Sequence, residues 1–411
     1  MSNAQENTGK VEITKRFGFE GSWETPAQIE KELRQDTIAE DSATAMNQSA
    51  EDGDHGVSST GVFRFQELMA QNIERPKDIV EGLICERQNA LLMGRFGVGK
   101  TMYGTQLSLH LAVGREFLGL KIPRPYRTMY LDFENDLGDM KERVSKQTSC
   151  LGLSEGEEGL LSENWSYVDA GNHENPLHNL KLDRDHAKLE SLIVRLKEYA
   201  PEVLIIDNLG LVSTQGDLKD TEDALRFYDN LKFVRSKVES LLNGAIIVFH
   251  HLTKPGEQQG KEPISLLLSP YEYLSRARGT GRVLDFARTR LALAEEMVGG
   301  QKCHVVNGIN RSAPVSPLIL QFNPETLSFE RHDNRKLRFN AVFGIRPKGM
   351  EIYQQLPEEF TFSDAEKVND PKTGRPFNKG TLSDTLKIAV RNGFMTYSAK
   401  LYRKVFDLQS D

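Results

Sequence analysis

This chain predicts an α/β fold built on a mostly parallel sheet, on three observations. Short, nearly continuous apolar runs read as strands buried on both faces, as parallel strands are: Asn89-Ala90-Leu91-Leu92-Met93, Val203-Leu204-Ile205-Ile206 and Ala245-Ile246-Ile247-Val248-Phe249. Stretches with apolar residues at helical spacing lie between them. Two strand candidates empty into acids at their carboxyl ends: Asp207 after the second run, and Asp132-Phe133-Glu134-Asn135-Asp136 after Thr128-Met129-Tyr130-Leu131.

The first strand runs straight into Gly94-Arg95-Phe96-Gly97-Val98-Gly99-Lys100-Thr101, and residues 102–113 read as a helix. This is the pattern G-x-x-x-x-G-K-T in its strand–loop–helix context. Glycines at these positions let backbone N–H groups turn inward around phosphates, the lysine reaches the β and γ oxygens, and the threonine hydroxyl ligates magnesium. The expectation is a nucleoside triphosphate with Mg2+, held by Gly94 through Met102, with Lys100 and Thr101 as the chemical contacts.

A phosphate loop binds nucleotide, whereas hydrolysis needs a carboxylate to orient the magnesium shell and another to polarise water. Asp207 ends its strand beside the loop and suits the first role, so Thr101 and Asp207 form the expected metal set. Glu134 is the expected water-activating base, with Asp132 and Asp136 as alternatives on the same segment.

At these residues the chain resembles RecA-type ATPases, including the DnaB and RepA replicative helicases, which place a glutamate on the strand after the loop helix. AAA+ proteins put it beside the magnesium aspartate, and here that neighbour is Asn208. The resemblance continues through His250-His251-Leu252-Thr253-Lys254, similar to a RepA-like His-His-x-x-Lys segment, and implies that His250 senses the γ-phosphate. It runs on through Arg276-Ala277-Arg278-Gly279-Thr280-Gly281, Asn310-Arg311-Ser312-Ala313-Pro314 and Leu320-Gln321-Phe322-Asn323-Pro324-Glu325-Thr326. DnaB-like cores usually carry a lysine two residues before the arginine of the second of these segments, and Ile309 stands there. The resemblance covers residues 75–332 and implies a RecA-like P-loop NTPase core, ATP as nucleotide, a homo-oligomer, commonly a hexamer, and an arginine that completes a neighbour's site. Arg278, Arg282 and Arg311 are the positions available, with Arg278 first and Arg311 second. ATP over GTP follows from the resemblance, alongside the lack of an N-K-x-D sequence in the core.

The 411 residues leave room on either side of such a core. Residues 1–60 are polar and acidic, the composition of a disordered arm; an aromatic island around Phe17, Phe19 and Trp23 suits docking on a neighbouring subunit or a protein partner. The core then spans 61–334. A strand at 166–169 and a helix at 185–199 add one βα unit, and a helix at 217–238 carries Leu225, Tyr228, Leu231, Phe233 and Val234 as expected core.

Residues 335–411 form a small C-terminal domain resembling a winged helix: helices at 348–356, at 362–368 with Ser363 as N-cap, and at 379–392, then a hairpin over 394–405. If its last helix enters a groove of DNA, Lys379, Thr381, Ser383, Thr385, Lys387 and Arg391 would face the bases, with Lys400, Arg403 and Lys404 on the wing. Such modules also dock proteins.

Cys85, Cys150 and Cys303 are widely spaced without a C-x-x-C pattern, which suits a reducing cytoplasm. No stretch approaches the length of apolar sequence that spans a bilayer, so no membrane partner is expected. The net charge of −7 is no footprint of a nucleic-acid binder. Of the two loops that hold DNA in RecA-type proteins, 213–223 is acidic, whereas 255–275 carries Lys261 and Tyr271 and follows Lys254. Two functions follow. One is an oligomeric ATPase that couples hydrolysis to DNA translocation, unwinding or remodelling in replication of a mobile element. The other is an ATP-switched regulatory or recruitment protein that assembles on a partner or DNA without processive helicase activity.

Overall fold

Burial of the apolar runs on both faces builds the sheet. The computed structural model describes residues 63–72, 74–183, 186–213, 221–252, 264–277, 281–311, 315–332, 339–340, 342–343, 346–392 and 394–405. The chain divides into two compact units, Met1–Ile73 and Glu74–Asp411. In the first, Phe65–Ala70 is a short helix with Glu67 accepting from the Arg64 N–H; the aromatic island of the arm lies outside the described residues.

The second unit opens with a small antiparallel pair, Asp78–Val80 (β1) and Ile84–Cys85 (β2). Six parallel strands follow: Gln88–Gly94 (β3), Thr128–Asp132 (β4), Trp165–Asp169 (β5), Val203–Asp207 (β6), Ala245–His251 (β7) and Thr289–Val298 (β8). Three antiparallel strands, Gln301–Asn310 (β9), Leu318–Asn323 (β10) and Ser328–Arg331 (β11), continue the same sheet from β8. Its order among the described residues is β11-β10-β9-β8-β3-β7-β6-β4-β5. The expected extra unit is present, with β5 at the edge and His186–Tyr199 returning as a helix.

Alternation along the strands sorts the core into two layers. Leu91, Met93, Leu204, Ile206, Ile246 and Val248 face one side with the helices His186–Tyr199 and Thr221–Lys237. Ala90, Leu92, Tyr130, Ile205, Ile247 and Phe249 face the other, with Tyr103, Leu107 and Leu111 of the loop helix Lys100–Val113. In Thr221–Lys237 the spacing over-read the core. Leu225 and Phe233 are 48% and 43% exposed, and Phe227, one turn from Leu231, is the buried aromatic.

The loop helix is buried nearly all round, because β11 lies against its second side. The Gln106 side chain exchanges two hydrogen bonds with the Phe329 backbone, donating to its carbonyl at 2.9 Å and accepting from its N–H at 2.8 Å. Gln147 likewise donates to the carbonyls of Met102 (3.0 Å) and Leu327 (2.6 Å). The Gln106 amide thus satisfies backbone groups of the edge strand that no further strand pairs, and Gln147 ties the turn before that strand to the loop helix.

From residue 339 the chain builds a third cluster around Phe339, Phe343, Tyr353, Leu382, Leu386 and Phe394. Helices Pro347–Gln355, Phe362–Ala365 and Lys379–Arg391 and strands Glu359–Thr361 (β12), Met395–Ser398 (β13) and Leu401–Lys404 (β14) follow in the order helix, strand, helix, helix, strand, strand, the strands paired as β12-β14-β13. Thr361, not Ser363, caps the second helix, because Asp364 three residues on completes the reciprocal box. The hairpin turns through Ala399 and Lys400, both at positive φ, which matches the twist of two-residue hairpins.

Among the described residues no helix is long and apolar enough to cross a membrane. Cys85 and Cys303 are buried and Cys150 exposed, all as free thiols.

Gly104 of the loop helix faces β7 so closely that a Cβ would lie 2.1 Å from Phe249 Cζ. Ala is the better helix former, but here overpacking dominates, so Gly104→Ala should cost about 1–3 kcal/mol. Thermal melts check this: Phe249→Leu should recover part of the loss in the Gly104→Ala background, and a Gly104→Ala protein melting at or above the parent would contradict the packing.

Candidate functional site

The loop closes where β3 ends, level with His251 of β7 and Leu293 of β8. Gly94 has no room for a side chain: a Cβ would sit 2.8 Å from Val98 Cγ1 and 2.9 Å from the Leu293 carbonyl. Gly97 and Gly99 stand at φ +76° and +93°, conformations that L residues rarely adopt. Arg95 and Phe96 point outward, Phe96 with 82% of its surface exposed, while Val98 is buried. The free N–H groups of the loop helix open onto this turn, a ready anion site.

Lys100 is only 7% exposed. Its Nζ donates to the carbonyls of Gly94 (3.2 Å) and Arg95 (3.1 Å) and lies 3.3 Å from His251 Nδ1. Burial pushes its pKa down, and the carboxylates of Asp207 and Glu134 oppose that shift.

β4 and β6 are in register, so Asp132 and Asp207 stand side by side at the carboxyl end of the sheet. Asp207 Oδ2 accepts from Thr101 Oγ1 and from the Tyr130 hydroxyl, both at 2.8 Å. Asp207 Oδ1 is buried and has no hydrogen-bond partner among the described residues. Burial, then the charge of Asp132, raises the Asp207 pKa to about 7, despite the two hydrogen bonds that lower it. A buried carboxylate oxygen without a donor fits the outer shell of a magnesium ion held by Thr101, whose bound waters supply donors.

The three carboxylates after β4 separate by their partners. Asp132 accepts from the Glu134 and Asn135 N–H groups (2.9 and 3.1 Å), the Asn135 amide and the Tyr167 hydroxyl (3.2 Å), so it holds the turn. Asp136 caps Leu137–Leu151, accepting from the Gly138 N–H at 2.7 Å. Glu134 is exposed, and its Oε2 accepts from the Asn208 amide. The peptide bond between Asp207 and Asn208 is cis.

The histidines divide differently from the expectation. His250 is fully buried and, by alternation with Val248, lies on the side of the sheet away from the loop helix. His251 is the one that reaches Lys100, and its ring centroid is 6.5 Å from that of Phe96. The apolar run before the pair fixed the strand without its phase, and only strand pairing separates the two.

Arg311 is exposed, and its N–H donates to the Arg288 carbonyl at 3.1 Å. Its neighbour Asn310 pairs with Thr289, level with Ala90 at the amino-terminal half of β3, whereas the loop starts at Gly94. Arg311 is one residue further on, level with Asn89 through Arg288, so five residues of strand, about 17 Å, separate its level from that of its own loop. Arg282 pairs with Asp285 at 3.2 Å. Arg278, Lys254, Lys261 and most of the 213–223 loop lie outside the described residues.

Parallel strands deliver a glycine loop, a buried lysine, a hydroxyl and two carboxylates to one end of the sheet, the arrangement of a P-loop nucleotide-binding domain. Comparison with protein families agrees: residues 59–257 match the model of an AAA domain. No curated protein matches the chain. Among solved structures the chain is similar to a KaiC-like protein from the hyperthermophilic archaeon Pyrococcus horikoshii OT3, with 15% identity and a TM-score of 0.39, covering 62% of this chain and 94% of that one.

The raised pKa of Asp207 sets a pH dependence for the nucleotide-free protein. Between an unfolded value near 3.8 and a folded value near 7 the native state binds the extra proton, so stability falls as pH rises through that window. Asp207→Asn removes this dependence. It should be more stable than the parent at pH 8 by on the order of 3 kcal/mol, with the difference fading toward pH 4. Denaturant melts across pH check it; a difference that does not change with pH would contradict the assignment.

Proposed function

We propose that this protein hydrolyses ATP as an oligomer, a hexamer in the RepA and DnaB manner, and couples the reaction to movement on or remodelling of DNA. The observation that carries the reading is the convergence of Lys100, Thr101, Asp207 and Glu134 at the loop, with Arg311 exposed about a strand's length away.

Lys100 holds the β and γ oxygens, exchanging its present carbonyl partners for phosphate. Magnesium, when bound by Thr101 with Asp207 orienting its shell, supplies charge neutralisation on the phosphates. Glu134 takes the proton of the attacking water as its oxygen bonds to the γ-phosphorus and the bond to ADP breaks. His251 suits the γ-phosphate contact better than His250, since it lies beside Lys100. Arg311, or Arg278, serves a neighbouring copy, which makes turnover depend on assembly.

A second reading, an ATP-switched protein that docks a partner, is favoured by the charges of the C-terminal domain. Its element order is that of a winged helix, yet its cations are largely paired: Lys379 with Glu366 (2.7 Å), Arg403 with Glu359 (2.8 Å) and Lys348 with Asp370. Thr385 is buried and donates to the Thr381 carbonyl, which removes it from any reading surface. Lys404 is largely buried, 5.2 Å from the Tyr353 ring, and among the described residues Arg346, Arg375, Lys387 and Lys400 are exposed without an ion pair within 4 Å.

Steady-state ATP hydrolysis across protein concentration, with and without single-stranded DNA, separates the readings. The motor predicts a rate per subunit that climbs with both, and slow DNA-indifferent turnover would overturn it in favour of the switch. Glu134→Gln should keep nucleotide binding and lose about 10²–10⁴-fold in rate. Arg311→Ala subunits mixed with Glu134→Gln subunits should regain activity if the arginine acts in trans.

A further inference from the structure

The two carboxylates of the site are each gripped from the opposite strand. Tyr130 of β4 donates its hydroxyl to Asp207 of β6, and Asn208, directly after β6, donates its amide to Glu134, two residues after β4. Neither donor was legible as a site residue: Tyr130 sits inside an apolar run, and Asn208 reads only as a missing acid. Both are buried, Tyr130 fully and Asn208 with 2% of its surface exposed.

We propose that Tyr130 and Asn208 are positioning residues, a reciprocal clamp between β4 and β6 that fixes the magnesium carboxylate and the water-activating carboxylate relative to one another. The proposal rests on the roles assigned above to Asp207 and Glu134.

The arrangement of the Asp207 carboxyl carries the first half. Thr101 and Tyr130 both donate to Oδ2, which turns the other oxygen, Oδ1, into the one left without a donor. The Tyr130 ring cannot tilt freely: it packs edge-on to Phe249 and stacks toward Tyr167, each at 6.3 Å between centroids. The phenol is thus a rigid hydrogen-bond donor aimed at one oxygen, and the rotation of the carboxylate is set before any ion arrives.

The second half rests on Asn208. Its backbone is anchored on one side by Asp207, whose carbonyl accepts from the Phe133 N–H at 2.9 Å, and on the other by its own carbonyl, which accepts from the Leu211 N–H at 3.2 Å. Glu134 is exposed and its backbone is held by the Asp132 turn, so the Asn208 amide is what limits where its carboxylate points. A neutral amide does this without adding charge, leaving the other oxygen of Glu134 to take a proton from water. Each strand carries one carboxylate and one donor, so a shift of β4 against β6 would move both groups together.

The two halves predict different losses, read on the intact protein by titrating Mg2+ against binding of a fluorescent ADP analogue and by steady-state hydrolysis. Tyr130→Phe keeps the packing; it should raise the Mg2+ concentration for half-maximal binding about 10-fold and leave magnesium-free binding unchanged. Asn208→Leu, with Asn208→Ala as a smaller second variant, should leave the Mg2+ titration unchanged and lower kcat about 10–100-fold without moving KM. A Tyr130→Phe titration that overlays the parent, or Asn208 variants that turn over like the parent, would overturn the clamp. Asp207→Asn separates the two levels of the argument. If its Mg2+ dependence matches the parent, the role of Asp207 fails and the clamp falls with it. If it is impaired while Tyr130→Phe is not, the clamp alone is wrong.

Discussion

Much of this molecule is arranged around one buried carboxylate. Asp207 ends a strand whose five residues are all buried, on a sheet covered on both faces. Removing a carboxylate from water is costly unless it is paired or hydrogen-bonded, and here the two hydrogen bonds fall on one oxygen while Asp132 stands alongside. The free protein therefore holds its proton toward neutral pH. On the proposed reading a cation at the loop reverses that balance, so the geometry that burdens the free protein favours binding. The loop glycines, the burial of Lys100 and the register of β4 against β6 all serve to bring this carboxylate and the loop to one end of the sheet.

The antiparallel strands β9 to β11 add a second constraint. They bring β11 against the loop helix, where Gln106 satisfies its backbone, Gln147 holds the turn before it and Phe329 fills the space beside Gly99. The helix that presents Lys100 and Thr101 is thereby wedged between the sheet and its own extension. A loop set on such a helix has little freedom to drift, which suits a site whose contacts must meet phosphate oxygens within a fraction of an ångström.

Sequence reading succeeded where chemistry and period coincide. The parallel strands were visible because double-sided burial leaves unbroken apolar runs, and the loop because its glycines and lysine have few other uses in that order. Glu134 was one of three acids by sequence; only partners distinguish it, since Asp132 and Asp136 are spent on a turn and a helix cap. The choice between His250 and His251 depended on strand phase, which adjacent identical residues cannot reveal. Tyr130 and Asn208 were invisible for a different reason: their work is done across two strands about 75 residues apart, and hydrogen bonds at that separation leave no local pattern. Across residues 346–405 the helices and hairpin followed from spacing, whereas the charge on their surface did not, because the acids that pair with the cations come from other elements.

The central claim is that the chain holds a nucleoside triphosphate through Lys100, with magnesium strengthening the grip. Calorimetric titration of ATP into the parent and into Lys100→Ala, each with and without Mg2+, tests it most directly. The account predicts binding to the parent that tightens with Mg2+ and is lost in Lys100→Ala while the melting curve stays that of a folded protein; equal binding by both proteins, or affinity indifferent to Mg2+, would contradict it.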